Sequence, residues 1–447
     1  MLGTEYIEER INRALKFSES DETQITFMAQ DQALTRFANN IIHQNVSESD
    51  GTVTITAVLG KRTGTATTND LSDEGLSKAA ERALSHARSR QADPDFPGLP
   101  EPRAVQLVQA FDEETASYDP ELRAIAVGQI CEAAKGQNLT AFGAFSTASA
   151  EVAVANSKGV MVYHAGTRAS LQTTISGDHG SSMDAASNWR VSHLDADEIG
   201  QAAIRRAMRA QNPQPVEPGH YDVVLGPYAV MDIVGNLNWT GIGARTVQEG
   251  GSWMIGRMGK EAMSPLISIW DDGLDPAGAP LPFDFEGLPR QKVPIVEKGV
   301  IRGPVYDRYT AAIDGVETTG HASPPNMSWI GGPVAFHLFM EAGDTSQEEM
   351  IRSTARGLYI NSFWYTRTVH PRDCIITGMT RDGVWLIKDG ELSFPVKDLR
   401  FTQSYIEALA NVISVGRSRR TQITEIGFSF CVPSLKISGF NFTGVTA

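Results

Sequence analysis

The side chains best able to do chemistry in this chain are nine histidines, three cysteines and a run of carboxylates. A zinc-dependent hydrolase needs two metal ligands on one helix face, with a carboxylate beside them to activate water. No histidine here is followed by glutamate, and no two histidines lie within five residues of each other. The nearest pair of ligand types, His370 and Cys374 in "HPRDC", is interrupted by Pro371, which opposes a helix. A loop with Cys374 partly buried is the expectation there. The stretch 269–287, "IWDDGLDPAGAPLPFDFEG", carries Asp271, Asp272, Asp275, Asp284 and Glu286. Clustered carboxylates suit hard cations. This run lacks the ligand order of a calcium loop, and its Gly and Pro content points instead to short acids that cap turns. Neither a GxSxG elbow nor a GxxxxGK[ST] phosphate loop occurs.

One histidine sits in a conspicuous setting. "VETTGHASPPNMS", 316–328, places His321 directly after Gly320 and shortly before Pro324-Pro325. Glycine permits an unusual backbone angle and the prolines set an extended exit. An extended peptide can add to a strand edge beside such a loop through main-chain hydrogen bonds. Gly320, His321 and Asn326 are therefore the expected groove residues. No base or ligand partner for His321 is identifiable along the chain, so it is expected to shape the cleft rather than catalyse.

Two domains are expected to position these residues, 1–215 and 216–447, in an α+β fold. The first opens with a helix near 5–17, where Ile7, Ile11 and Leu15 form one stripe. Alternating stretches such as "TQITFMAQ", "ALTRFANN" and "GTVTITAVLG" read as strands. "NDLSDEGLSKAAERAL" and "SHLDADEIGQAAIRRAM" both show Leu, two acids, then an Ala- and Arg-rich helix. This is the pattern of an internal duplication of a helix/antiparallel-sheet unit, with a Pro-rich linker at 91–103 between the copies. "QNPQPVEPG", 211–219, marks the boundary. The second domain is β-rich with few helices. Pro227 opens one of them, and hairpins turn at Lys298-Gly299 and Asp389-Gly390.

Composition excludes several classes. The net charge is −14, so a polyanion partner would need a local basic patch, and the one dense cluster, Arg417 to Arg420 in "GRSRR", reads as a solvated loop. No apolar run reaches the roughly 18–20 residues that span a bilayer. The three cysteines, Cys131, Cys374 and Cys431, are odd in number and far apart. A disulfide framework is not expected, and a reducing, cytoplasmic location is. The amphipathic, acidic first segment is unlike an export signal.

Several stretches, taken in order, resemble the TldD/PmbA family and specifically its TldE branch. They are "TGTATTNDLSDEGL", the run from "IWDDGLDP" through "FDFEG" to "TTGHA", "TGMTRDGVWLIKDGELSFPVKDL", and "PSLKISGFNFTG". The resemblance implies a two-domain chain that pairs with a zinc-bearing TldD-like subunit or with itself. In the zinc-bearing branch a helix carries HExxxH, completed by a cysteine near the C-terminus. The resemblance sets that helix at "VMDIVGNLNW", where the two histidine positions become Met231 and Asn236 and the glutamate position becomes Asp232. Methionine is a poor zinc ligand and asparagine supplies no imidazole. Cys431 falls near the region of the zinc-branch cysteine without matching its position. The resemblance thus implies a partner subunit of a metallopeptidase acting on unfolded or leader peptides, with no cofactor of its own and zinc held in the partner. A self-sufficient hydrolase using His321, His370 or Cys374, and a homodimeric peptide-binding protein, are the rival readings.

Overall fold

The computed structural model describes residues 1–445. It is a mixed α+β structure, 26% helix and 41% strand. The first half runs α1 (Thr4–Phe17), β1 (Glu22–Ala38), β2 (Ile41–Leu59), β3 (Arg62–Thr68) and α2 (Asp73–Ser89). After a short α3 (Glu113–Ala116) the same series recurs as α4 (Pro120–Gly136), β4 (Thr140–Asn156), β5 (Met161–Ser176), β6 (Ser181–Asn188) and α5 (Ala196–Arg209). The six strands form one antiparallel sheet in the order β3-β2-β1-β4-β5-β6. The two series meet back to back along β1 and β4, in register from Gln24 opposite Asn156 to Phe37 opposite Gly143. "TQITFMAQ" and "ALTRFANN" are one continuous 17-residue strand rather than two, because both neighbours pair with it along its length.

Strand alternation decides what each face of this sheet does. Ile25, Phe27, Ala153 and Ala155 pack under α1 and α2; Ala169, Leu171 and Ile175 pack under α4 and α5. Acid and hydroxyl caps open three of these helices: Ser72 accepts from the Gly75 amide, Asp119 from Glu121 and Asp195 from Glu198. Residues of the opposite parity, Gln24, Met28, Val152, His164 and Arg168 among them, face away from the helices. The Pro-rich segment between the copies has no regular structure from Gln91 to Asp112. It is nevertheless pinned: Glu22 accepts from the Leu99 amide and Asn156 donates to Pro100 O.

The second half is built on a ring of strands. β7 (Gly219–Leu225), β12 (Arg356–His370), β13 (Ile375–Lys388), β15 (Leu399–Ser404) and β17 (Ser429–Val445) pair in turn, and β17 closes on β7. Closure removes the exposed edge that an open sheet would present. Phe363, Phe401, Tyr405, Phe440 and Phe442 fill one buried aromatic cluster. β8 (Ile269–Asp271), β9 (Val293–Glu297), β10 (Val300–Ile301) and β11 (His337–Met340) extend the sheet through β11, which runs parallel to the start of β17. β14 (Glu391–Pro395) and β16 (Val412–Ile423) add to β13 and β17. The hairpins turn where Asp389 and Lys298 take positive φ, each followed by a positive-φ glycine. Helix α6 (Pro227–Leu237) packs against β12 and β17.

Arg417 to Arg420 lie in β16, not in a solvated loop. Arg417 pairs with Glu349, while Arg420 reaches Tyr228 on α6 and the buried Asp184 on the other half of the molecule. Arg419 is exposed and lies near the Trp270 and Phe339 rings, and the three arginines line one surface pocket together with Arg206.

Candidate functional site

Helix α6 carries the three residues that the resemblance sets at the zinc-helix positions, Met231, Asp232 and Asn236. Met231 is buried in the apolar core. Asp232 accepts hydrogen bonds from Tyr405 OH at 2.8 Å, Thr366 Oγ1 at 2.7 Å and Asn236 Nδ2 at 3.1 Å. Asn236 also donates to the Asp232 carbonyl. Burial pushes the Asp232 carboxyl above its ordinary value, against the three donors that lower it. One turn on, Thr240 donates to Asn236 O at 2.6 Å and contacts Cys374 Sγ at 3.3 Å. Cys374 is 0% exposed, not partly buried, and burial raises its thiol to about 12. His370 points away from it, to an exposed pairing with Asp373. Among the described residues, no three His, Cys, Asp or Glu side chains converge where a metal ion would be held. A thioether, an amide and a carboxylate already saturated by donors do not make a zinc site. Cys431 lies in β17 facing Thr421, away from this cluster.

The His321 loop is an internal brace. His321 and Asp271 are both 0% exposed, and their Nε2 and Oδ1 lie 2.9 Å apart. Asp271 Oδ2 accepts from the His337 amide. Burial alone would raise the Asp271 carboxyl; His321, with His337 and Arg290, holds it below its ordinary value. The partner that the linear sequence hid is therefore one of the five clustered acids. The others cap turns: Asp272 accepts from Leu274, Asp275 from Ala277, and Asp284 from Glu286, Leu288 and Ala322. Glu286 accepts from the Arg308 amide. Gly320 has φ +73°, and a Cβ there would stand 2.3 Å from Pro289 O. Gly320 and His321 thus lie behind the wall, while the exposed Asn326 lies on it.

That wall belongs to a cleft of about 410 Å³ between the helix-free face of the N-terminal sheet and the C-terminal half. Met28, Val152, His164 and Arg168 come from β1, β4 and β5; Leu281, Asn326, Met327, Phe336, His337 and Ile426 face them. The size and mostly apolar lining are those of a ligand cleft. Three of its nitrogens are buried without a hydrogen-bond partner among the described residues: His164 Nε2, Arg168 Nη2 and His337 Nε2. Burial depresses both imidazoles, His164 to about 4 and His337 to about 3, the latter aided by Arg290. The sequence reading did not single out these residues. The available signal was parity: His164-x-Gly166-x-Arg168 sits on strand positions opposite those that feed the helix core.

Comparisons agree across the chain. Models described as PmbA/TldA metallopeptidase domain 1, central domain and C-terminal domain match residues 30–87, 94–211 and 218–444. The metalloprotease PmbA of Escherichia coli O157:H7 is 24% identical over 407 residues, 88% of this chain and 86% of the relative. A metalloprotease TldD homolog of Haemophilus influenzae is 22% identical, covering 84% of this chain and 81% of the relative. The crystal structure of TldE from Thermococcus kodakarensis superposes with a TM-score of 0.88 at 22% identity, over 98% of this chain and all of that one.

Proposed function

The chain belongs to the PmbA/TldD metallopeptidase family, and on that premise we propose that it is the TldE-type, non-zinc subunit of a TldD/TldE-type peptidase. In this reading the interdomain cleft forms part of a chamber that receives an unfolded or leader peptide. The zinc and its activated water belong to a TldD-like partner, and the assembly works in the cytoplasm. The observation that carries the reading is the state of α6. Where the zinc branch has two imidazoles and a glutamate, this chain has Met231 in the core and Asp232 and Asn236 bonded to each other. Among the described residues no helix is long and apolar enough to cross a membrane, in keeping with an assembly that meets peptides in water.

A self-sufficient hydrolase at Cys374 draws no support, since that thiol is sealed from solvent and contacts Thr240 rather than an imidazole. The test is to purify the chain alone and together with a TldD-like protein of the same organism, then measure bound zinc and cleavage of an unstructured peptide. Zinc near one equivalent and cleavage only in the pair are the expected results. Stoichiometric zinc with turnover in the lone chain would reject the reading.

A further inference from the structure

Beside the cleft, guanidinium nitrogens lie buried with no hydrogen bond among the described residues. Arg168 spends Nη1 on Thr424 O and leaves Nη2 buried and unpartnered. Arg290, 3% exposed, lies behind Phe336 with its guanidinium carbon 5.1 Å from that ring; its Nη1 and Nη2 are unpartnered too. Neither makes an ion pair among the described residues. The nearby acids act on them only from a distance: Asp271, held by His321 and the His337 amide, and Asp284, held by three amides, act on Arg290, and the exposed Glu425 acts on Arg168. Buried polar groups are paired in native proteins, and an unpaired buried guanidinium is costly. His164 and His337 add two buried ring nitrogens facing the same space. Around these donors the lining is apolar, with Met28, Trp189, Phe285 and Met327.

We infer that the cleft recognises a carboxylate carried on an apolar body, with Arg168 as its principal partner and His337 and His164 as flanking donors. A planar guanidinium suits a carboxylate better than it suits a neutral amide. The inference deepens the proposed function, naming the chemistry of the peptide end or side chain that the chamber receives, and it rests on that reading. Two sources carry this chemistry: the free C-terminus of a peptide ending in an apolar residue, and a glutamate beside apolar residues.

The test is calorimetric binding to the full chain, without partner and without turnover. Three peptides of one apolar sequence serve as probes: a free C-terminal acid, its C-terminal amide, and an amide bearing one internal Glu. The acid is expected to bind at least about tenfold more tightly than the amide. Tighter binding of the acid alone assigns the C-terminus as source, and tighter binding of the internal-Glu peptide alone assigns the side chain; either supports the inference. R168M should remove the preference and R168K should retain part of it, with thermal melts confirming that both fold. The comparison of the three peptides on the unaltered chain needs no variant. Equal affinity for all three peptides, or binding of none, overturns the inference. The zinc and cleavage assay of the proposed function is unaffected by that result, so the two can fail separately.

Discussion

His321 Nε2 meets Asp271 Oδ1 at 2.9 Å with both side chains sealed from water, and this contact ties the His321 loop to the end of β8. The loop's Gly320 packs on Pro289, and the same aspartate anchors the His337 backbone at the cleft. One carboxylate therefore sets the position of two walls.

His321→Ala leaves a buried carboxylate oxygen without its partner. A loss of about 3 kcal/mol in unfolding free energy is expected. Urea melts of the two proteins check it. A loss below about 0.5 kcal/mol would show that the contact carries little.

The cleft imidazoles give a pH signature. Both have folded-state values depressed from 6.5, to about 4 for His164 and about 3 for His337. The unfolded chain therefore binds the extra protons first. The stability that neutral burial contributes is fully present above pH 6.5, and it is lost as pH falls from 6.5 through the folded values. His164→Gln should flatten the stability profile between pH 6.5 and 4 by up to about 3 kcal/mol. Melts at four pH values in that window decide it, and parallel profiles would count against the buried imidazole.

Asp232 is the hub of the α6 cluster, and its variants should rank by how many donors they strand. Tyr405→Phe removes one hydrogen bond and is expected to cost about 1 kcal/mol. Asp232→Ala strands Tyr405 and Thr366 together, while Asn236 keeps its bond to the residue 232 carbonyl, and should cost about 3 kcal/mol. Similar costs for the two, measured by denaturant titration, would contradict a shared carboxylate.

Cys131, Cys374 and Cys431 are all free and buried, and burial raises each thiol. The thiolate is the reactive form. The native protein should resist a maleimide reagent, and all three should label in denaturant. Rapid native labelling of Cys374, read by mass spectrometry, would overturn its placement against Thr240.

The sequence by itself determined the α+β class, the hairpin turns at Asp389-Gly390 and Lys298-Gly299, and the acid-capped helices. These are local facts, set by period, turn chemistry and residue type within a few positions. The tertiary structure alone decided the rest. Tyr405 reaches Asp232 across 173 residues, and Asp271 reaches His321 across 50. The cleft gathers β1, β4 and β5 with loops from the far half of the chain. Such contacts leave no trace in spacing, because they are made by sheets that close and pack face to face, and only the assembled core fixes which distant side chains then meet.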